Sequence, residues 1–215
     1  MRAIIALAMI GAVALTSSCN RHAGAATYKY LQQVDLVRKL VDRENQEEIP
    51  ALVRIQDSSQ LRKVMIRTGV YGKRLMELPS EDVDWEAMRY KDNILVFVNS
   101  LGYLCRDTGI LLDKVEVARR MNPEYSDRLP NLKEILGHER GDTIVMVNTL
   151  MKAFDTRQER RYINAGFLQP FLFSVEADLG LVVGNKDNLD DKAEEAQRDL
   201  ALRFPGYQWV LPGIL

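Results

Sequence analysis

Few side chains in this sequence are suited to chemistry, and those few are scattered. Two histidines, His22 and His138, and two cysteines, Cys19 and Cys105, supply all of the imidazole and thiol groups in 215 residues. A zinc site needs such ligands clustered at helical or loop spacing. His138-Glu139 has no second histidine four residues on, so the helical zinc-hydrolase pattern is missing. No G-x-S-x-G elbow is present either, which leaves His138 as the base for any serine triad. A cell-wall or lipid hydrolase is therefore the least favoured reading. It would rest on His138 or on carboxylate pairs, whose geometry a sequence does not fix. Asp187, Asp190, Asp191, Glu194 and Glu195 could hold calcium, but they lack the glycine and alternating ligands of an EF-hand loop. They read better as a solvated helix start favoured by the helix dipole. No metal ion and no organic cofactor are expected.

Val183-Gly184-Asn185-Lys186-Asp187 is similar to the guanine-reading segment of small GTPases. The position that should hold aspartate is Asn188, and no Gly-rich phosphate loop ending in Lys-Ser or Lys-Thr occurs, so nucleotide binding is not expected. A turn after a buried segment, with Asn185 and Asp187 serving its backbone, accounts for the same residues. Arg157, Arg160 and Arg161 are balanced by Asp155 and Glu159, and like Arg119-Arg120 they read as solvated helix surface. With 29 basic and 30 acidic side chains, neither nucleic acid nor an anionic membrane surface is an implied partner.

Cys19 stands in a more telling context. Arg2 precedes an apolar run over residues 3–15, followed by Thr16-Ser17-Ser18-Cys19. The run has 13 residues, short of the ~20 that cross a bilayer as a helix, and reads as an export signal. The junction Leu15-Thr16-Ser17-Ser18-Cys19 resembles the lipobox of bacterial lipoproteins, departing from it at Thr16, where that family has an aliphatic residue. The resemblance implies cleavage before Cys19 and acylation of that cysteine with chains such as palmitate, several of which anchor a protein firmly. Asn20, where inner-membrane retention usually uses aspartate, then favours the periplasmic face of the outer membrane. Ordinary signal cleavage near Ala23-Gly24-Ala25 is the alternative. The expected organisation is a signal peptide over 1–18, a lipidated cysteine with a short tether over 19–26, and one domain over 27–215. If Cys19 carries lipid, Cys105 has no disulfide partner, and its neighbours Leu101, Tyr103 and Leu104 make it a buried core thiol.

The elements that follow point to an all-α domain of roughly seven to nine irregularly packed helices. Thr27 can cap a helix carrying Leu31, Val34, Val37, Leu40 and Val41 at three- and four-residue steps. Pro50 opens a short helix, Asp57 caps another through Leu75, and Ser80 to Asp84 begins a strongly apolar helix that should be central. A break is expected at Asp107-Thr108-Gly109, then a helix to Met121. Leu132 to Leu136, Thr143 to Phe154 and the region around Pro170 predict three more, with a minor strand over 179–183 as a competing reading and a last helix capped by Asn188.

The carboxyl terminus is unusually apolar. Tyr207, Trp209, Val210, Leu211, Ile214 and Leu215 either dock on the helical body or form a patch for a protein partner. The functional expectation is a lipid-anchored accessory or scaffolding protein of a cell-envelope assembly, joined to the membrane through Cys19 and acting through protein contacts. The alternative is a binder of a small apolar or envelope-derived ligand, in an interhelical cavity lined by Trp85, Met88, Phe167 and Phe171.

Overall fold

The structure is a computed structural model that describes residues 2–121, 126, 129–154 and 167–214, with side chains from His22 onward. The fold is all-α, and among the described residues there is no strand. In chain order, α1 covers Arg2–Arg43 and runs into a π-helical turn, Glu44–Glu48. Helices α2 (Ile49–Arg54), α3 (Ser58–Met76) and α4 (Trp85–Met121) follow. The remainder is α5 (Leu132–His138), α6 (Thr143–Ala153) and α7 (Gln169–Arg203), before a non-helical tail.

Side-chain caps set the shorter helices where the sequence signals them. Pro50 lies in the first turn of α2, where its missing N–H costs nothing. The carboxylate of Asp57 accepts from the Gln60 N–H at 3.0 Å to start α3, and Asp142 accepts from the Val145 N–H at 3.0 Å to start α6. Gly141, at φ +150°, makes the turn before α6.

Elsewhere the helices run on through expected breaks. α4 passes through Asp107-Thr108-Gly109, and Gly109 serves packing: a Cβ there would lie 3.1 Å from the Ser58 carbonyl oxygen, tighter than an ordinary contact, so glycine eases the approach of the start of α3. The minor strand over 179–183 and the turn at 184–188 are both replaced by α7. Val175, Val182, Leu189, Ala193, Ala196 and Leu200 hold one face of α7 in the core. Gly184, Asp187 and Asn188 fall on its outer surface, where their weak helix preference is outweighed by that packing.

Nor does α1 begin at Thr27. It is already helical through the segment read as a tether, and Ala23 and Gly24 pack inward. Thr27 is buried, and its hydroxyl oxygen accepts from the Asp84 N–H at 2.9 Å, fastening the loop before α4 to α1.

Helix α4 is the centre of the body, flanked by α3 and α7, each antiparallel to it. Gly102 of α4 meets Thr68 of α3, and Gly72 of α3 meets Leu95. On the other flank Asn93 meets Asn188, and Asp84 just before α4 meets Arg203 at the end of α7. The continuous core includes Val34, Val41, Phe97, Leu101, Leu104 and Val182.

Candidate functional site

The most distinctive surface is where the tail meets α1 around Gly24 and Tyr28. Residues 204–214 have no helix to satisfy their backbone, so side chains from three helices do it. Gln197 of α7 accepts from the Leu211 N–H at 2.9 Å. Tyr90 of α4 donates its hydroxyl to the Pro212 carbonyl at 2.7 Å, and burial pushes that phenol well above its ordinary range, keeping the proton in place. Arg38 of α1 donates to the Gly213 carbonyl at 3.2 Å, and to Asp35 and Asp42 on its own helix. Burial works against ionisation of Asp35, but hydrogen bonds from Lys39 and Arg38 hold its pKa below the usual range. Gly213 packs against the Asp190 carboxyl with no room for a Cβ, and burial raises the pKa of Asp190.

Ahead of this polar clamp lies an aromatic cluster. Tyr28, Tyr207 and Trp209 have ring centres 5.4–5.7 Å apart, and Phe204 lies 6.0 Å from Trp209. The indole N–H donates to the Phe204 carbonyl at 3.1 Å. Gly24 is beneath these rings: a Cβ there would be 2.8 Å from Tyr207 Cε2.

The candidate tail residues thus separate. Trp209, Leu211 and Ile214 are buried in the protein's own core, Trp209 only 6% exposed. Val210 points outward at 67% exposure, and Tyr207 is partly exposed. Leu215 lies outside the described residues. A groove of about 290 Å³ runs between α1 and the tail, lined by Tyr28, Leu31, Gln32, Asp35, Trp209 and Val210.

The four residues of the expected cavity do not converge. Phe167 and Phe171 pair at 6.5 Å under the Lys114 ammonium, by the start of α7. Trp85 lies at its other end, exposed, with the guanidinium of Arg203 at 5.3 Å and that of Arg89 at 5.8 Å from its ring. Met88 is partly buried on the core beside it. A different groove, about 240 Å³, opens between α6 and α7 around Phe154, Leu172, Phe173 and Leu179.

His138 is exposed at the end of α5, and His22 is exposed with Nδ1 3.6 Å from an Asp82 oxygen. Cys105 is buried, and burial pushes its thiol far up, as suits a core thiol. The side chain of Cys19, the expected lipid acceptor, lies outside the described ones. No group of His, Cys, Asp and Glu suited to a metal ion occurs among the described residues.

Carboxyl groups of α4 and α7 meet in pairs, Glu86 with Asp199 and, nearer the middle of the helices, Asp107 with Asp178. Burial, then the charge and hydrogen bond of Asp107, push Asp178 up to about 6, against the opposing pull of Arg106. Arg106 grips Asp107 through both oxygens, at 2.6 and 3.1 Å.

Sequence reasoning missed Arg38 and Tyr90 as holders of the tail. The available signal was an arginine set among Val34, Val37 and Val41 on the buried side of α1. No protein-family model matches the chain, and no curated protein or solved structure is significantly similar to it.

Proposed function

We propose that this chain is a lipid-anchored accessory or scaffolding protein of a bacterial cell-envelope assembly, held at Cys19 on the periplasmic face of the outer membrane and acting through protein contacts. The observation that carries the reading is the continuity between the lipobox-like junction and the fold. Only a few residues separate Cys19 from Gly24 and Thr27, which are already packed in the body. A domain anchored through such a helix sits at a short, fixed height above its membrane, which suits a component that must meet neighbours in the same envelope.

The outer stripe of α4 supplies a surface for a partner. Val96 and Tyr103 are exposed there. Asp178 and Asn188 of α7 both reach α4, so Leu181, at helical spacing between them, lies along the same edge and is also exposed. Of the tail, Val210 and part of Tyr207 remain outward.

Crosslinking the tagged chain in its native envelope tests this. A partner captured by the wild type and lost with Tyr103→Glu plus Leu181→Glu supports the reading, and no enriched partner counts against it. Intact mass of the mature protein tests the anchor: an amino terminus at Ala26 or Thr27 without lipid overturns it.

The groove between α6 and α7 favours a second reading, capture of a small apolar or envelope-derived ligand. Its 240 Å³ is below the roughly 300 Å³ at which ligand pockets begin, which places this reading second.

A further inference from the structure

We propose that Tyr28, Tyr207 and Val210 form a seat that rests in the interfacial layer of the membrane carrying the anchor, fixing which way the domain faces. This inference rests on the lipid-anchored reading above and adds to it an orientation and a second point of contact.

Reach is the first support. Gly24 is five residues after Cys19, so even a fully extended chain separates their Cα atoms by about 18 Å at most, and a helix by about 7.5 Å. The rings of Tyr207 and Phe204 lie directly on Gly24. An acylated Cys19 therefore draws this end of the molecule to the headgroup layer.

Chemistry is the second. Tyrosine and tryptophan favour the membrane interface, where an apolar ring and a polar tip are both satisfied. Of the exposed members, Tyr28 has an apolar ring with a polar tip and Val210 is aliphatic, and Trp209 beneath them is held by its bond to the Phe204 carbonyl. Leu202, on the last turn of α7, adds an exposed aliphatic side chain at the same end. Glu81 and Asp82 of the loop before α4 are exposed at this end too, and His22 faces Asp82. Lys29 is exposed beside Glu81, so both signs of charge are present and neither selects anionic lipid; the occupant is a zwitterionic headgroup surface entered by apolar contact rather than by charge.

The opposite end provides a control. Ile55, after α2, is 67% exposed, like Val210, but lies beyond the length of α1 from Gly24 to Arg43, about 30 Å. A nitroxide label is placed at Val210→Cys or Ile55→Cys in the full, processed chain on phosphatidylcholine vesicles. Cys105 is buried and stays unlabelled. The label is then relaxed by oxygen, which concentrates in lipid, and by a nickel chelate, which stays in water.

The expected result is an oxygen-to-nickel ratio severalfold higher at position 210 than at 55, unchanged by 1 M salt. Equal, water-like ratios at both positions, with intact mass showing lipid on Cys19, overturn the seat and leave the anchor standing. Absence of lipid on Cys19 overturns both. A position 210 shielded from both reagents in native envelopes, yet water-like on vesicles, overturns the seat in favour of a protein covering it.

Discussion

The stretch of α1 from Gly24 to Arg43 is secured by different chemistry at its two ends. At the near end Gly24 lies under the rings of Tyr207 and Phe204, and the tail is held there by ring contacts and by hydrogen bonds such as Tyr90 to Pro212. At the far end the helix widens into the π-helical turn, and Glu44, 3% exposed, meets Arg67 of α3 through both oxygens at 2.6 and 2.8 Å. Arg67 also donates to Glu48 at 2.8 Å, and Tyr71 donates to Glu44 at 3.1 Å. Hydrogen bonding with Glu44 pushes the guanidinium pKa further up, while burial, then the Glu44 charge, raises the Tyr71 phenol. The π turn brings Glu44 and Asn45 inward together, and the Asn45 carbonyl accepts from Thr143 at 2.9 Å, tying α6 to the same corner. The near end is fastened by ring packing together with hydrogen bonds to the tail backbone; the far end is fastened by a buried carboxylate–guanidinium pair, which needs both partners in place.

Substitutions sharpen this contrast. Trp209→Ala should cost about 4 kcal/mol of stability in urea unfolding, as a large buried ring is lost from the tail, with little dependence on salt. Arg67→Ala leaves the Glu44 carboxylate buried without its cation and should cost about 3 kcal/mol. Arg67→Lys should recover only part of that, because an ammonium cannot reproduce the two-point grip. If both truncations respond alike to 1 M salt, the contrast between the ends is wrong. Tyr90→Phe removes the donor to the Pro212 carbonyl and should cost about 1 kcal/mol, read as a fall of roughly 2–4 °C in melting temperature.

Asp178, between the two ends, is the opposite of Glu44, because another carboxyl group faces it. Its folded pKa of about 6 lies above the ordinary 3.8, so its contribution to stability is fully present below about pH 4 and is lost as pH rises through 6. Asp178→Asn should flatten that slope and raise stability at pH 7 by about 1 kcal/mol or less, given the screening of a partly exposed group. Thermal melts between pH 4 and 7 check it. An unchanged slope in the variant would place the pH dependence elsewhere.

Local signals made part of this fold legible. Asp57, Asp142 and Pro50 define helix starts through their own backbone chemistry, and the buried spacing of Val34, Val37 and Val41 defines the inner face of α1. Helix ends were less legible, because Gly109 and Gly184 look the same in a sequence whether they break a helix or sit within one. Gly109 is there for the approach of Ser58, a contact 51 positions away that no local pattern records. The tail was legible as apolar, but its division into buried Trp209, Leu211 and Ile214 and outward Val210 depends on Arg38, Tyr90 and Gln197, each on a different helix. The Glu44–Arg67 pair was hidden for the same reason, since its partners come from separate helices.

The docked tail also bears on when this molecule can fold. Arg38 meets Gly213 across 175 positions and Tyr90 meets Pro212 across 122, so residues made long after α1 complete the packing around it. Contacts this distant close slowly. On the reading of an exported chain, the order of synthesis itself would keep the polypeptide loose enough to be threaded through a translocon, and it would become compact only after residues 204–214 had crossed.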